Sequence, residues 1–314
     1  MILDTPLAVG AGPRRHLLDV DGMGRADIER ICDLAVEMRE ARAARAYRSL
    51  LEAETVGLAF YESSTRTRIS FELAAKALGA TVVELGVAGS SVAKGESLVD
   101  TLRTLERTSV TTVVLRHASA GAPHLAARST GLRIVNAGDG MHAHPTQALV
   151  DALTLREALG SLDGRRVAIV GDVTHSRVAR SNVHALLALG ATVRLGGPPA
   201  WVRGFDERAG VSVASSLAEA IDRADAVMAL RVQLERGAAA GVPSLQEYRL
   251  RWGLDEDRLA LAAPGAVVLH PGPTNEGVEL SAELAAGPRS LIGRQVENGV
   301  PVRMAVLALV AGAA

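Results

Sequence analysis

Short apolar runs rich in β-branched residues alternate along this chain with longer stretches in which apolar residues recur every three to four positions. Runs of the first kind fall at 56–61, 81–85, 111–115 and 133–136, and a second series at 166–170, 191–195, 211–213, 226–230 and 266–269. Between them lie helical patterns. Residues 26–51 place Ile28, Ile31, Leu34, Ala35 and Met38 on one stripe opposite an arginine-rich face, and 69–78 and 96–108 read the same way. Strand and helix alternating at these spacings predict an α/β protein of two domains, each with a central, mainly parallel sheet flanked by helices. Pro145 opens a helix over 145–155, as proline tolerates in a first turn, and the domain junction is placed along it. The expected domains are 1–150 and 151–290, with a last helix of about 291–314 returning to the first.

In open parallel sheets ligands bind beyond the carboxyl ends of the strands, and here the predicted strands end in polar residues. Glu62 to Arg68, Arg116-His117, 138–145, 171–177, 231–236 and 270–273 form two such sets of loops, which predict a site in an interdomain cleft. The run Glu62-Ser-Ser-Thr-Arg-Thr-Arg68 is the most specific of them. A helix start offers unpaired N–H groups and a positive dipole end, and guanidinium forks match phosphate geometry. Ser and Thr at a helix start also suit ordinary capping. Two arginines on that turn oppose the dipole unless an anion sits among them, so a phosphate site is the better reading. Arg66, Arg68, Lys94, Arg116, Arg177 and Arg231 would suit a substrate set carrying several negative charges. The implied chemistry is positioning and stabilisation of developing charge, with His144 at a helix start donating one hydrogen bond from a neutral imidazole.

Composition narrows the function classes. Net charge is −1 and aromatic residues make up 3%, so neither a basic field nor stacking surfaces for nucleic acid are expected. The single cysteine, Cys32, excludes a disulfide framework and fits a reducing cytoplasm. No basic leader followed by an apolar segment is evident, and the apolar stretch 304–310 is too short for a bilayer, so no membrane role is expected. Gly171-Asp172 lacks the spacing of a dinucleotide loop. His142 and His144 suggest a metal pair without a third ligand, so no metal is expected.

Seven motifs in order carry a resemblance across almost the whole chain: S-T-R-T-R at 64–68, K-G-E at 94–96, R-H at 116–117, H-P-T-Q at 144–147, G-D-x-x-H-S-R at 171–177, R-V-Q-x-E-R at 231–236 and H-P-G-P at 270–273. The chain resembles the aspartate carbamoyltransferase family. The resemblance implies cytoplasmic, cofactor-independent transfer of the carbamoyl group of carbamoyl phosphate to L-aspartate in pyrimidine biosynthesis. It implies that Ser64, Thr65, Arg66 and Thr67 hold carbamoyl phosphate and that Arg66 stabilises the leaving phosphate. Thr67, Arg116 and His144 would contact the carbonyl oxygen, Gln147 the carbamoyl nitrogen, and Pro271 and Gly272 would offer backbone carbonyls. Arg177 would bind the α-carboxylate of aspartate, and Arg231 with Gln233 its side-chain carboxylate. Ser91 and Lys94 would come from a neighbouring subunit, giving a homotrimer with shared sites.

Two departures from the family pattern stand out. Ser91 and Lys94 lie only three apart, and Glu276 stands where many relatives have arginine. A regulatory chain or a dihydroorotase-like partner is left open. The nearest rival is an ornithine carbamoyltransferase, whose usual H-P-C-Q and H-C-L-P signatures are missing here. A non-catalytic scaffold of the same fold is the third reading, and the intact anion-binding motifs oppose it.

Overall fold

The computed structural model describes residues 16–44, 49–85, 96–205, 209–232 and 244–314. The chain divides into two compact units, 1–150 with 298–314, and 151–297.

The first unit opens with α1 (Arg25–Ala43), followed by β1 (Thr55–Phe60), α2 (Thr65–Ala77), β2 (Thr81–Leu85), α3 (Leu98–Arg107), β3 (Thr112–His117), α4 (Ala122–Ser129) and β4 (Arg133–Asp139). The helix α5 (Pro145–Leu159) spans the point of division. All strand pairs are parallel in the order β2-β1-β3-β4. Helix α1 stops at Ala43 rather than running on to residue 51, because its buried stripe ends at Met38. Leu51 is buried independently, its N–H donating to the Leu78 carbonyl at the end of α2. A core of Leu18, Leu102, Val113, Leu115, Ala126 and Ile134 packs α3 and α4 onto this sheet.

The second unit contains β5 (Arg166–Val170), α6 (Arg177–Ala188), β6 (Thr192–Gly196), β7 (Val211–Ala214), α7 (Leu217–Ile221), β8 (Ala226–Ala229), α8 (Leu245–Trp252), α9 (Glu256–Leu259), β9 (Val267–Leu269) and α10 (Ala282–Ala286). Its parallel sheet has the order β7-β6-β5-β8-β9. Trp201, Tyr248 and Trp252 supply the bulk of its core, with the Trp201 and Tyr248 rings 5.5 Å apart. The last helix, α11 (Ile292–Ala311), ends in an unbroken buried run from Val302 to Val310 within the first unit. No described helix is long and apolar enough to cross a membrane.

Both sheets reverse direction at one strand. From β1 the chain moves outward to β2 and returns on the other side as β3; from β5 it moves to β6 and β7 and returns as β8. Such switch points open a crevice at the carboxyl ends of the two strands, the usual place for a ligand in this architecture.

Candidate active site

At the switch point of the first unit, β1 delivers the S-T-R-T-R run and β3 delivers Arg116. Ser64 stands at the N-cap of α2 in extended backbone, yet its side chain makes no cap hydrogen bond. Ser97, Ser176, Ser216, Ser244 and Ser281 each accept from the N–H three residues on. Ordinary capping therefore does not account for Ser64. Thr67 is buried, whereas Thr65 and Arg66 are exposed on the first turn. Arg68 pairs with Glu84 on β2.

Arg116 is buried and fixed from three sides. Its backbone carbonyl accepts from Tyr61 N–H at 2.8 Å, and its guanidinium donates to Glu62 at 2.8 Å and to the Ala137 carbonyl at 3.2 Å. The ends of β1, β3 and β4 thereby meet at one cation. After β4, the loop leading to His144 hangs on Asp139, whose carboxylate accepts from the Asn136 amide at 2.8 Å and from the N–H groups of Gly121 and Ala143 at 2.7 and 3.1 Å. Burial alone would raise the Asp139 carboxyl, but hydrogen bonds from His142, Asn136 and Gly121 outweigh it and hold it below the ordinary range. The hydrogen bond to Asp139 in turn pushes His142 up. Gly140 has φ +48°, and a Cβ there would lie 2.8 Å from Ala120 N, so this bend requires glycine. His144 is buried immediately before α5, its carbonyl accepting from Gln147 N–H at 3.0 Å, and Gln147 is half-buried one turn on.

At the switch point of the second unit, Arg177 is buried in the first turn of α6, after β5, and half-buried Arg231 follows β8. The 270–273 turn follows β9: Gly272 N–H donates to His270 Nδ1 at 2.8 Å, leaving the carbonyls of half-buried Pro271 and Gly272 on the turn. His270 Nε2 meets Glu279 at 3.2 Å. Glu279 also accepts from Asn275 N–H at 2.6 Å, and the Asn275 amide donates to the Val232 carbonyl at 3.1 Å. This chain of bonds ties the turn to the residue next to Arg231. Burial, with Glu279 and Asp172 adding to it, pushes the Tyr248 phenol up, so a neutral ring lies beneath Gly171.

Ser91, Lys94 and Gln233 lie outside the described residues. Glu62, Asp139, Asn275 and Glu279 were missed from the sequence, although Glu62 directly precedes the phosphate run and Glu279 is a lone charge between Val278 and Leu280. Glu276 is exposed beside this clamp and takes no part in its bonds.

Residues 15–157 match the family model described as aspartate/ornithine carbamoyltransferase, carbamoyl-P binding domain, and residues 163–310 match the Asp/Orn binding domain of the same family. The aspartate carbamoyltransferase catalytic subunit of Methylorubrum extorquens is 51% identical over 300 residues, 95% of each chain. A crystal structure of Trypanosoma cruzi aspartate transcarbamoylase with carbamoyl phosphate and aspartate superposes with a TM-score of 0.85 at 32% identity, covering 96% of this chain and 98% of that one. Pyrococcus furiosus ornithine carbamoyltransferase gives 0.84 at 26% identity, covering 95% and 97%. With both family models matched in order and half of all positions identical to a full-length relative, the chain belongs to the aspartate/ornithine carbamoyltransferase family.

Proposed function

We propose that the chain is an aspartate carbamoyltransferase, making N-carbamoyl-L-aspartate and phosphate from carbamoyl phosphate and L-aspartate for pyrimidine biosynthesis. The first unit is the carbamoyl phosphate-binding domain and the second the aspartate-binding domain. Ser64, Thr65, Arg66 and Thr67 grip the phosphate at the start of α2, where helix N–H groups and a guanidinium face an anion. Thr67, Arg116 and His144 polarise the carbamoyl carbonyl, Gln147 holds the carbamoyl nitrogen, and Pro271 and Gly272 accept from the same group. Arg177 and Arg231, with Gln233, orient the two carboxylates of aspartate. The unprotonated aspartate amine attacks the carbamoyl carbon, a tetrahedral intermediate forms, and the amine proton passes to the phosphate as the bond between the carbamoyl carbon and the phosphate oxygen breaks. Charge on its oxygen is met by donors already in place, and phosphate leaves as Arg66 takes up its growing charge. Fixed donors of this kind need no reorganisation during the reaction, which is the source of their effect on rate.

The observation that carries the choice of aspartate over ornithine is the pair Arg177 and Arg231 at the β5–β8 switch point. Two guanidinium groups suit a dicarboxylate, whereas the ornithine ammonium would be repelled. The relatives named above as aspartate carbamoyltransferases support the same choice. Phosphate release from carbamoyl phosphate, measured with aspartate and with ornithine, tests it. Turnover with aspartate alone is expected, and turnover with ornithine alone would reverse the assignment.

A homotrimer with Ser91 and Lys94 donated between subunits belongs to this reading. It is supported by Ile69 and Leu73, one turn apart on α2 and both exposed in the single chain. A cytoplasmic location is supported by the single cysteine, Cys32, which is buried and has no second cysteine in the chain to pair with.

A further inference from the structure

The carbamoyl-transfer chemistry does not use His124, Asp139 and His142. They come from three elements: His124 from α4, Asp139 from the end of β4, and His142 from the loop that leads to His144. Each offers a ligand atom, and these atoms lie within 4.8 Å of one another. The two imidazole rings meet edge to face with centroids 5.6 Å apart. Beneath them Asp139 is fully buried, and its Oδ2 lies 3.1 Å from His142 Nδ1. A second carboxylate, Asp19 Oδ2, lies 3.4 Å from His142 Nε2. The sequence alone pairs His142 with His144 and finds no third ligand. In the fold His142 turns instead to His124 and to two carboxylates.

An ordinary ion pair between His142 and Asp139 would fasten the loop to its strand without further help. It gives no reason for a second imidazole and a second carboxylate at the same point. Two imidazoles with carboxylate oxygen are the donor set of zinc, nickel and cobalt, whereas magnesium and calcium take oxygen ligands. In a tetrahedral zinc site with ligands about 2.0–2.2 Å from the metal, two ligands lie about 3.3–3.6 Å apart. The group must therefore close by up to about 1.5 Å. Both imidazoles are only partly buried and have side-chain torsions with which to do it. Asp139 is already oriented by Asn136, Gly121 and Ala143, the kind of outer support that holds a metal ligand in place.

We propose that His124, Asp139 and His142 bind a divalent cation of the zinc class, with Asp19 beside it, and that the ion fastens the loop preceding His144 to α4. The test uses the full chain without a histidine tag, equilibrated with zinc chloride and analysed for bound metal, with cobalt(II) substituted to give a visible ligand-field spectrum. About one zinc per chain is expected, with a rise in the thermal unfolding midpoint as binding to the folded state requires. His124→Ala and His142→Asn should each weaken zinc binding more than about 100-fold, beyond the loss of an outer-shell partner, and abolish the thermal shift. His124→Ala should also keep metal-free carbamoyl transfer, which shows that it folds. A wild-type chain that takes up no zinc, or zinc retained equally by both variants, would overturn the proposal.

Discussion

Arg66 and Arg231 are both cations at strand ends, but they are assigned to different moments of the reaction. Arg66 sits on the first turn of α2 and is assigned to charge growing on the departing phosphate, so Arg66→Ala should lower kcat about 10²–10³-fold with little change in the aspartate KM. Steady-state kinetics on the folded variant decides this, and near-normal turnover removes Arg66 from its role. Arg231 is assigned a ground-state contact to a carboxylate, so Arg231→Ala should act chiefly on KM. A charge-assisted hydrogen bond contributes about 1.5–3 kcal/mol, which corresponds to an aspartate KM roughly 10–100-fold higher. An unchanged KM would place Arg231 outside the site. These candidates were legible in the sequence because hydroxyls and arginines at a helix start have few structural uses. Glu62 and Asp139 were not, since their roles come from neighbours 54 positions away at Arg116 and 18 positions away at Gly121. The Arg68–Glu84 pair was hidden for the same reason, as it forms only when α2 lies against β2.

At the level of elements, periodicity located the strands well because a buried parallel strand is a short apolar run that little else in a soluble chain imitates. Its failures are at the ends. Strand β3 reaches His117 and β4 reaches Asp139, beyond the apolar residues, because His117 pairs with Asp139 across a bulge. Polar residues there serve the ladder and the ligand edge together, and hydropathy sees neither. Backbone crowding at these edges is equally hidden. Gly197, just past β6, lies so near the turn after β5 that a Cβ would stand 2.3 Å from the Gly171 carbonyl oxygen. Gly197→Ala should therefore displace that turn and destabilise the fold by about 1–3 kcal/mol, as overpacking does. A lower urea midpoint is expected, with a higher aspartate KM because the same turn leads to Arg177. An unchanged midpoint would mean that the two turns separate at no cost.

For the molecule as a whole, the question is what covers the first unit's outer face. Ile69 and Leu73, one helical turn apart on α2, are 42% and 44% exposed. The Arg68–Glu84 pair ties the neighbouring side of α2 to β2, the edge strand among the described residues, and leaves Ile69 and Leu73 uncovered. Apolar surface at a sheet edge invites a partner, and the segment carrying Lys94 follows β2 directly in the chain, so a subunit seated there is placed to receive it. Leu73→Asp should then yield smaller particles in sedimentation and lose activity although Arg66, Arg116 and His144 are intact. A sharper test mixes two inactive proteins, Arg66→Ala and Lys94→Ala, after dissociation and reassembly. In a closed ring of three in which each subunit donates Lys94 to the next, every mixed trimer contains one site with both residues intact. Equal mixing makes about three quarters of the trimers mixed, so roughly one quarter of wild-type activity should return. If verified mixed trimers stay inactive, Lys94 serves its own subunit or no site at all, and the shared-site reading fails.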